Sequence, residues 1–343
     1  MTIRQAEWHE ILTVLRETHG IWSVGMNRSD HRRFLQFQLN HDWSRSHYRY
    51  MVYKRNGKIV SSCKLYEVGM TSAGKTFKVA GIGAVFTQPE ARGTGCASQL
   101  LDDVIDMAAE DGYDAVLLYS EIGTEFYAQF GFEELGSSDI ALLSRSADSV
   151  SKTAASSAPP PVVPRPLRES DLPALSRHHM RWLRYQPYGI ARPLDYWRYK
   201  LSKEWFIRSH STLAWPTIEV TFPLKGNGYM LLERSQTTLR LIEIVGNEEA
   251  RMNLWRQAID FASAEKLQRI RGWESLARDL APGFSLTSLS SKLPQTDSAD
   301  PLPFEPLRSY DRDWGIPMLL PLNDDLSLWS QTFPCPLLEL DHF

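Results

Sequence analysis

The stretch Gly83-Ala84-Val85-Phe86-Thr87-Gln88-Pro89-Glu90-Ala91-Arg92-Gly93-Thr94-Gly95-Cys96-Ala97 holds the residues best suited to chemistry. Gly93 and Gly95 let the main chain turn tightly, so that several N–H groups can point into one hollow. A helix starting directly after them adds its unbonded donors and the positive end of its dipole. Such a hollow suits a pyrophosphate, and Arg92 can add a charge-assisted contact. The same two glycines would also serve a plain strand-to-helix turn. No Gly-Lys-Ser/Thr follows, which excludes a Walker loop, and the dinucleotide pattern Gly-x-Gly-x-x-Gly lacks its third glycine.

A loop of this kind needs a strand before it and an amphipathic helix after it. Phe77 to Thr87 reads as the strand, rich in Val, Ile and Gly. From about Cys96 to Asp111, Leu100, Leu101, Val104, Ile105 and Ala108 form one apolar helical stripe, which Gly112 ends as a C-cap. Upstream, Glu7 to His19 has helical spacing. Arg49 to Lys54 and Lys58 to Glu67 read as a hairpin around Arg55-Asn56-Gly57. Downstream come a buried strand at Ala115 to Tyr119, a short helix at Thr124 to Phe130 and a strand from Phe132. This order predicts an α+β fold, a mixed central sheet flanked by helices.

Two motifs in register carry a family resemblance. Arg92-x-x-Gly95-x-Ala97, with Pro89 three residues ahead, resembles the Arg/Gln-x-x-Gly-x-Gly/Ala signature of GNAT acetyltransferases. Phe126-Tyr127-Ala128-Gln129-Phe130-Gly131-Phe132 resembles that family's Tyr-x-x-x-Gly-Phe. The resemblance covers roughly Met1 to Leu143. More loosely, Leu118 to Gly123 looks like fungal enzymes that acetylate the lysine ε-amino group. The tandem layout is similar to aminoglycoside acetyltransferases of the enhanced-intracellular-survival type.

The resemblance implies that acetyl-CoA is the cosubstrate and that no metal takes part. It implies that the backbone at Val85, Phe86 and Thr87 pairs with the pantetheine arm. It further implies that Arg92, Gly93, Thr94, Gly95, Cys96 and Ala97 cradle the pyrophosphate, and that Ser120 stands where many relatives steady the pantetheine with Asn. Acyl transfer to a primary amine then needs an oxyanion donor, an acid for the leaving thiolate and a base for the amine. Backbone N–H groups near Phe86 and Thr87 are the natural donors. Tyr127 is the candidate acid, or else a packed core aromatic. The base is not evident, since Ala80 to Phe86 contains no carboxylate; Glu67, Glu121 and His47 are candidates. In the enhanced-intracellular-survival type the C-terminal carboxylate takes this part, which nominates Phe343. Trp22, His31, Asp42, Trp43, His47 and Tyr48 suggest a partly aromatic wall for a cationic amine. A non-catalytic acyl-CoA-binding regulatory module is the alternative, keeping the Arg92 loop without needing Tyr127.

The remaining chain divides at a Ser/Ala/Pro-rich stretch containing Pro159-Pro160-Pro161. The expected division is a catalytic domain over 1–146, a linker over 147–165 and a second domain over 166–343. Strands at Gly228 to Glu233 and Leu239 to Val245, a helix at Glu248 to Ala264 and a strand at Arg269 to Trp273 echo the first domain. Its equivalent loop, Gly246-Asn247-Glu248-Glu249-Ala250-Arg251, places two carboxylates where a pyrophosphate would be repelled, so the copy reads as degenerate. From Pro282 onward irregular segments are expected, ending in a strand through Met318-Leu319-Leu320.

With 343 residues, a net charge of −3 and 23% charged residues, the chain offers no basic field for nucleic acid. No apolar run reaches the ~20 residues of a membrane span. Cys63, Cys96 and Cys335 lack disulfide or metal-ligand spacing. A cytoplasmic enzyme acting on an amine, with no nucleic-acid or membrane partner, is expected; a homo-oligomer stays open.

Overall fold

A strand at Thr2–Gln5 (β1) leads into helices Trp8–Trp22 (α1), Arg28–Asn40 (α2) and Ser44–His47 (α3). Three antiparallel strands follow, Tyr48–Arg55 (β2), Lys58–Ser72 (β3) and Lys75–Thr87 (β4). The expected hairpin turn lies between the first two, with Asn56 and Gly57 at φ 51° and 76°. Helix Cys96–Glu110 (α4) crosses back to Ala115–Ser120 (β5), parallel to β4. Then come Glu125–Ala128 (α5), Glu133–Glu134 (β6) and Ser138–Leu143 (β7). These bounds come from a computed structural model describing residues 2–72, 74–144, 162–273, 304–305, 307–323 and 337.

The later part holds Arg165–Pro166 (β8), Leu172–Leu183 (α6), Gly189–Ile190 (β9), Leu194–His210 (α7) and Ile218–Thr221 (β10). Gly228–Arg234 (β11), Thr238–Gly246 (β12), Glu248–Ala264 (α8) and Arg269–Trp273 (β13) reproduce the expected echo. Arg308–Asp311 (β14) and Ile316–Pro321 (β15) complete the described strands.

Two mixed sheets result, and they do not follow the linear division at 147–165. The first runs β1-β2-β3-β4-β5-β15-β6, with β9 on the end of β3; the second runs β14-β7-β13-β12-β11-β10-β8. So β7, inside the expected first domain, pairs with β13, while β15, inside the expected second, pairs with β5 from Ile316↔Ser120 to Pro321↔Ala115. The physical reason is the edge of β5. Its buried Val116, Leu117 and Leu118 need a partner strand that is apolar on both faces. Met318 and Leu319 of β15 supply one residue to each core.

Alternation along the strands separates those two cores. Met51, Cys63, Leu65 and Ile82 meet Leu100, Leu101 and Val104 of α4. The opposite face, with Tyr66, Val68 and Met70, is covered by α1, α2 and residues of α7. Helix α7 is buried on two sides: Tyr196 and Tyr199 enter this core, Trp197 and Leu201 that of the second sheet. Its entry is pinned by fully buried Arg192, whose Nη1 donates to Glu243 Oε2 at 2.8 Å, while Tyr229 OH donates to Glu243 Oε1 at 2.7 Å. Glu243→Ala takes the carboxylate away from a buried guanidinium and should cost about 3–5 kcal/mol in urea unfolding. A cost under about 1 kcal/mol would mean that the guanidinium is solvated without it.

Candidate active site

The parallel pairing of β4 with β5 runs from Val79↔Ala115 to Ile82↔Leu118 and stops there. β4 continues to Thr87 held by β3 alone, with Ser62↔Phe86 and Ser61↔Thr87. The register slips between Ser62 and Lys64, and Ala84 at φ 49° takes up the extra length. A left-handed alanine is disfavoured by ~1 kcal/mol, which marks the point where the strands part. Beyond it, the β4 edge facing away from β3 has no strand partner among the described residues. Val85 packs toward the α4 core and Phe86 toward the other, edge-on to Trp22 at 6.3 Å. Thr87 Oγ1 lies 2.9 Å from Ser61 Oγ, which donates to the Phe86 carbonyl at 2.7 Å.

The loop follows at the mouth of this split. Gly93 and Gly95 adopt φ 69° and 77°, and a Cβ added at either would meet nothing within 4 Å. Gly95 is the N-cap of α4 and provides no side-chain cap. The N–H groups of Cys96, Ala97 and the following turn are therefore left for something else. The Cys96 thiol is buried in the core, 3.3 Å from Thr94 Oγ1, so this residue offers its main chain rather than its sulfur. Arg92 is exposed and its Nε donates to the Thr87 carbonyl at 3.3 Å. Arg55, from the β2–β3 turn, also reaches the loop, 3.4 Å from Thr94 Oγ1. The proximity of Arg55 depends on the hairpin's reach across the sheet, which no local pattern in the sequence signals.

The corresponding loop before α8 is filled by the protein. Asn247 Oδ1 accepts from the N–H of Ala250 and of Asn227, each at 3.2 Å. A Cβ on Gly228 would collide with the Val245 carbonyl. Asn247 thus closes the donors that Gly95 leaves open.

Tyr127 is buried beside Cys63, at the register slip, with Phe126 and Phe132 edge-on at 5.1 and 6.1 Å. Burial first, then the proximity of Cys63 and Glu121, pushes its phenol up to about 12. It keeps its proton across the whole working range. Ser120 is fully buried at the end of β5, donating to the Gly123 carbonyl and accepting from Ile122 N–H at 3.3 Å. That hydroxyl is engaged in its own turn.

Among the candidate bases, Glu67 lies toward the closed end of the split. It accepts from Tyr113 OH at 2.9 Å and pairs with Lys78 at 3.4 Å. His47 stacks on Trp43 at 5.0 Å and bonds the Trp43 carbonyl, and Glu121 is exposed. Trp43 and Tyr48 are buried in the core on the sheet face away from α4. Phe343 lies outside the described residues.

Residues 2–135 match the family model described as the acetyltransferase (GNAT) domain. This part of the chain is a GNAT acetyltransferase domain. The GNAT family uses acetyl-CoA, and the open loop of Gly93 and Gly95 fits its pyrophosphate. Solved structures share the fold over most of the chain. A GCN5-related N-acetyltransferase from Anabaena variabilis aligns with TM-score 0.65 and 17% identity over 94% of this chain and 73% of that one. Eis1 from Mycobacterium abscessus aligns with TM-score 0.58 and 15% identity over 97% and 76%. A probable N-acyltransferase from Enterococcus faecalis aligns with TM-score 0.63 and 13% identity over 94% and 72%. No curated protein matches the sequence. No helix among the described residues is long and apolar enough to cross a membrane.

Proposed function

We propose that this protein transfers the acetyl group of acetyl-CoA to a primary amine, on a small molecule or a lysine-like substrate, by direct attack on the thioester. The observation that carries the reading is the conjunction of two openings: the uncapped N-terminus of α4 and the unpaired edge of β4 beside it. Arg92, Arg55 and the N–H groups from Gly93 to Ala97 would hold the pyrophosphate, and Val85 to Thr87 the pantetheine arm. The thioester brings an already activated carbonyl. The chain must orient the amine, meet negative charge on oxygen with the β4 N–H groups, and support the departing sulfur.

Tyr127 supports the sulfur by hydrogen bonding. A phenol near 12 gives up its proton to a thiolate of conjugate pKa ~8.5 only uphill, so donation without full transfer is its main part. An alkaline fall in rate below pH 11 would therefore belong to another group.

Turnover of acetyl-CoA with a panel of amines, followed by release of free thiol, tests the reading. Tight acetyl-CoA binding with no thiol release for any amine would favour a regulatory acyl-CoA-binding module instead. Arg92→Ala and Arg55→Ala should each weaken acetyl-CoA binding by roughly 1.5–3 kcal/mol, as for a hydrogen bond to a charged group. Calorimetry giving the parent affinity in both would remove the guanidinium groups from the phosphate site.

A further inference from the structure

On the sheet face away from α4, β3 presents Lys64 in line with Tyr66, Val68 and Met70, three core residues. Lys64 pairs with Tyr50 on β2 and with Gly83 on β4, where the split opens. Tyr66 pairs with Gly81. Two successive positions of β4 on this face thus carry only hydrogen, so no β4 side chain covers Lys64 or Tyr66. From above, α7 brings Lys203 to the same patch, its Nζ 5.9 Å from the Tyr66 ring centre and 5.5 Å from that of Tyr199.

Neither ammonium has a hydrogen bond or ion pair with a described residue. The carboxylate acting on Lys203 is Glu204, already held by Arg208 Nη1 at 2.6 Å. The charge acting on Lys64 is that of Lys203, of the same sign. Desolvation, then this repulsion, brings Lys64 down to about 7, and desolvation also lowers Lys203. His31 on α2 is held down near 4 by burial, then by Lys64 and by His19, whose Nδ1 is 3.1 Å from its own. The phenols of Tyr48, Tyr50, Tyr66 and Tyr199 are all raised by burial, so they remain O–H groups. Among the described residues the patch is an array of N–H and O–H donors whose one acting carboxylate, Glu204, is already held by Arg208, an arrangement that costs stability until an anion enters it.

We infer that the acceptor is an amino-acid-like molecule, with its reacting amine at the β4 split and a carboxylate held by Lys64, Lys203 and the neighbouring tyrosine hydroxyls. Charge decides against a polycationic acceptor, which would set ammonium against ammonium here. The inference rests on the acetyl-transfer reading above for the amine end. The carboxylate end stands on the lysine pair.

The test is calorimetric titration of the full chain, with CoA present, using 6-aminohexanoate and its amide, 6-aminohexanamide. The parent should bind the carboxylate at least about tenfold more tightly, the worth of one charge-assisted hydrogen bond. In Lys64→Met or Lys203→Met that preference should fall to within about twofold, while the melting temperature stays level or rises because an unpaired, partly buried charge is gone. Lys64→Gln serves if the Met variant does not fold. Equal affinities in the parent, no binding of either probe, or a preference that survives in folded variants would each overturn the inference. A separate titration with acetyl-CoA tells the failures apart. Acetyl-CoA binding without the preference sinks the carboxylate site alone. The preference without acetyl-CoA binding sinks the acetyl-transfer reading instead.

Discussion

Gly95→Val should weaken acetyl-CoA binding about a hundredfold or more while leaving a folded protein. The argument starts from backbone geometry. Gly95 caps α4 at φ 77°, ψ 6°, a conformation that a β-branched residue adopts only at a cost of ~1–2 kcal/mol. That cost is small against total stability, and among the described residues no atom beyond the chain neighbours lies within 4 Å of the new Cβ to add a clash. The damage therefore falls on whatever enters the hollow. An isopropyl group there blocks the approach of a phosphate to the first N–H groups of α4. Losing two such charge-assisted bonds at ~1.5 kcal/mol each corresponds to about a hundredfold or more in Kd. Calorimetry and thermal melting on the same sample decide the matter. A folded variant with the parent Kd would place the pyrophosphate elsewhere.

Tyr127→Phe should lower turnover by ~10²-fold with acetyl-CoA affinity nearly unchanged. The ring stays between Phe126 and Phe132, so packing is retained and only the O–H is lost. Because burial holds the phenol near 12, its donor is present at every accessible pH. The loss should accordingly be the same at pH 6 and at pH 9, a signature that a titrating acid would not give. Turnover within about twofold of the parent would make Tyr127 a core aromatic.

The loop, α4 and the β2–β3 hairpin were legible because their signals are local. Gly93, Gly95 and Gly57 sit at positive φ, and the Leu100–Val104 stripe is uninterrupted. Helix α2 escaped notice because its inner face alternates Phe34 and Leu35 with the buried polar residues His31 and Gln38. Helix α7 escaped for the opposite reason. Buried on two sides, it has no polar face to set off an apolar one. Lys64 went unremarked in the sequence, because Lys203, the charge acting on it, is brought near only by packing. The partner of the Ser120 hydroxyl, the Gly123 carbonyl three residues on, is a matter of turn geometry that residue type alone does not signal.

The crossing of β7 and β15 between the sheets bears on how the chain can be made. Strand β5 and the Gly93–Gly95 loop leave the ribosome long before β15, the strand that seals the edge of β5. During that interval the first sheet carries an open, apolar edge, the kind that recruits foreign strands. The second sheet waits likewise, since β7 is translated early and its partner β13 late. Neither half can mature as an independent unit, and the long sequence separations slow the search for partners. Vectorial synthesis therefore leaves the edge of β5 open until Ile316–Pro321 has emerged.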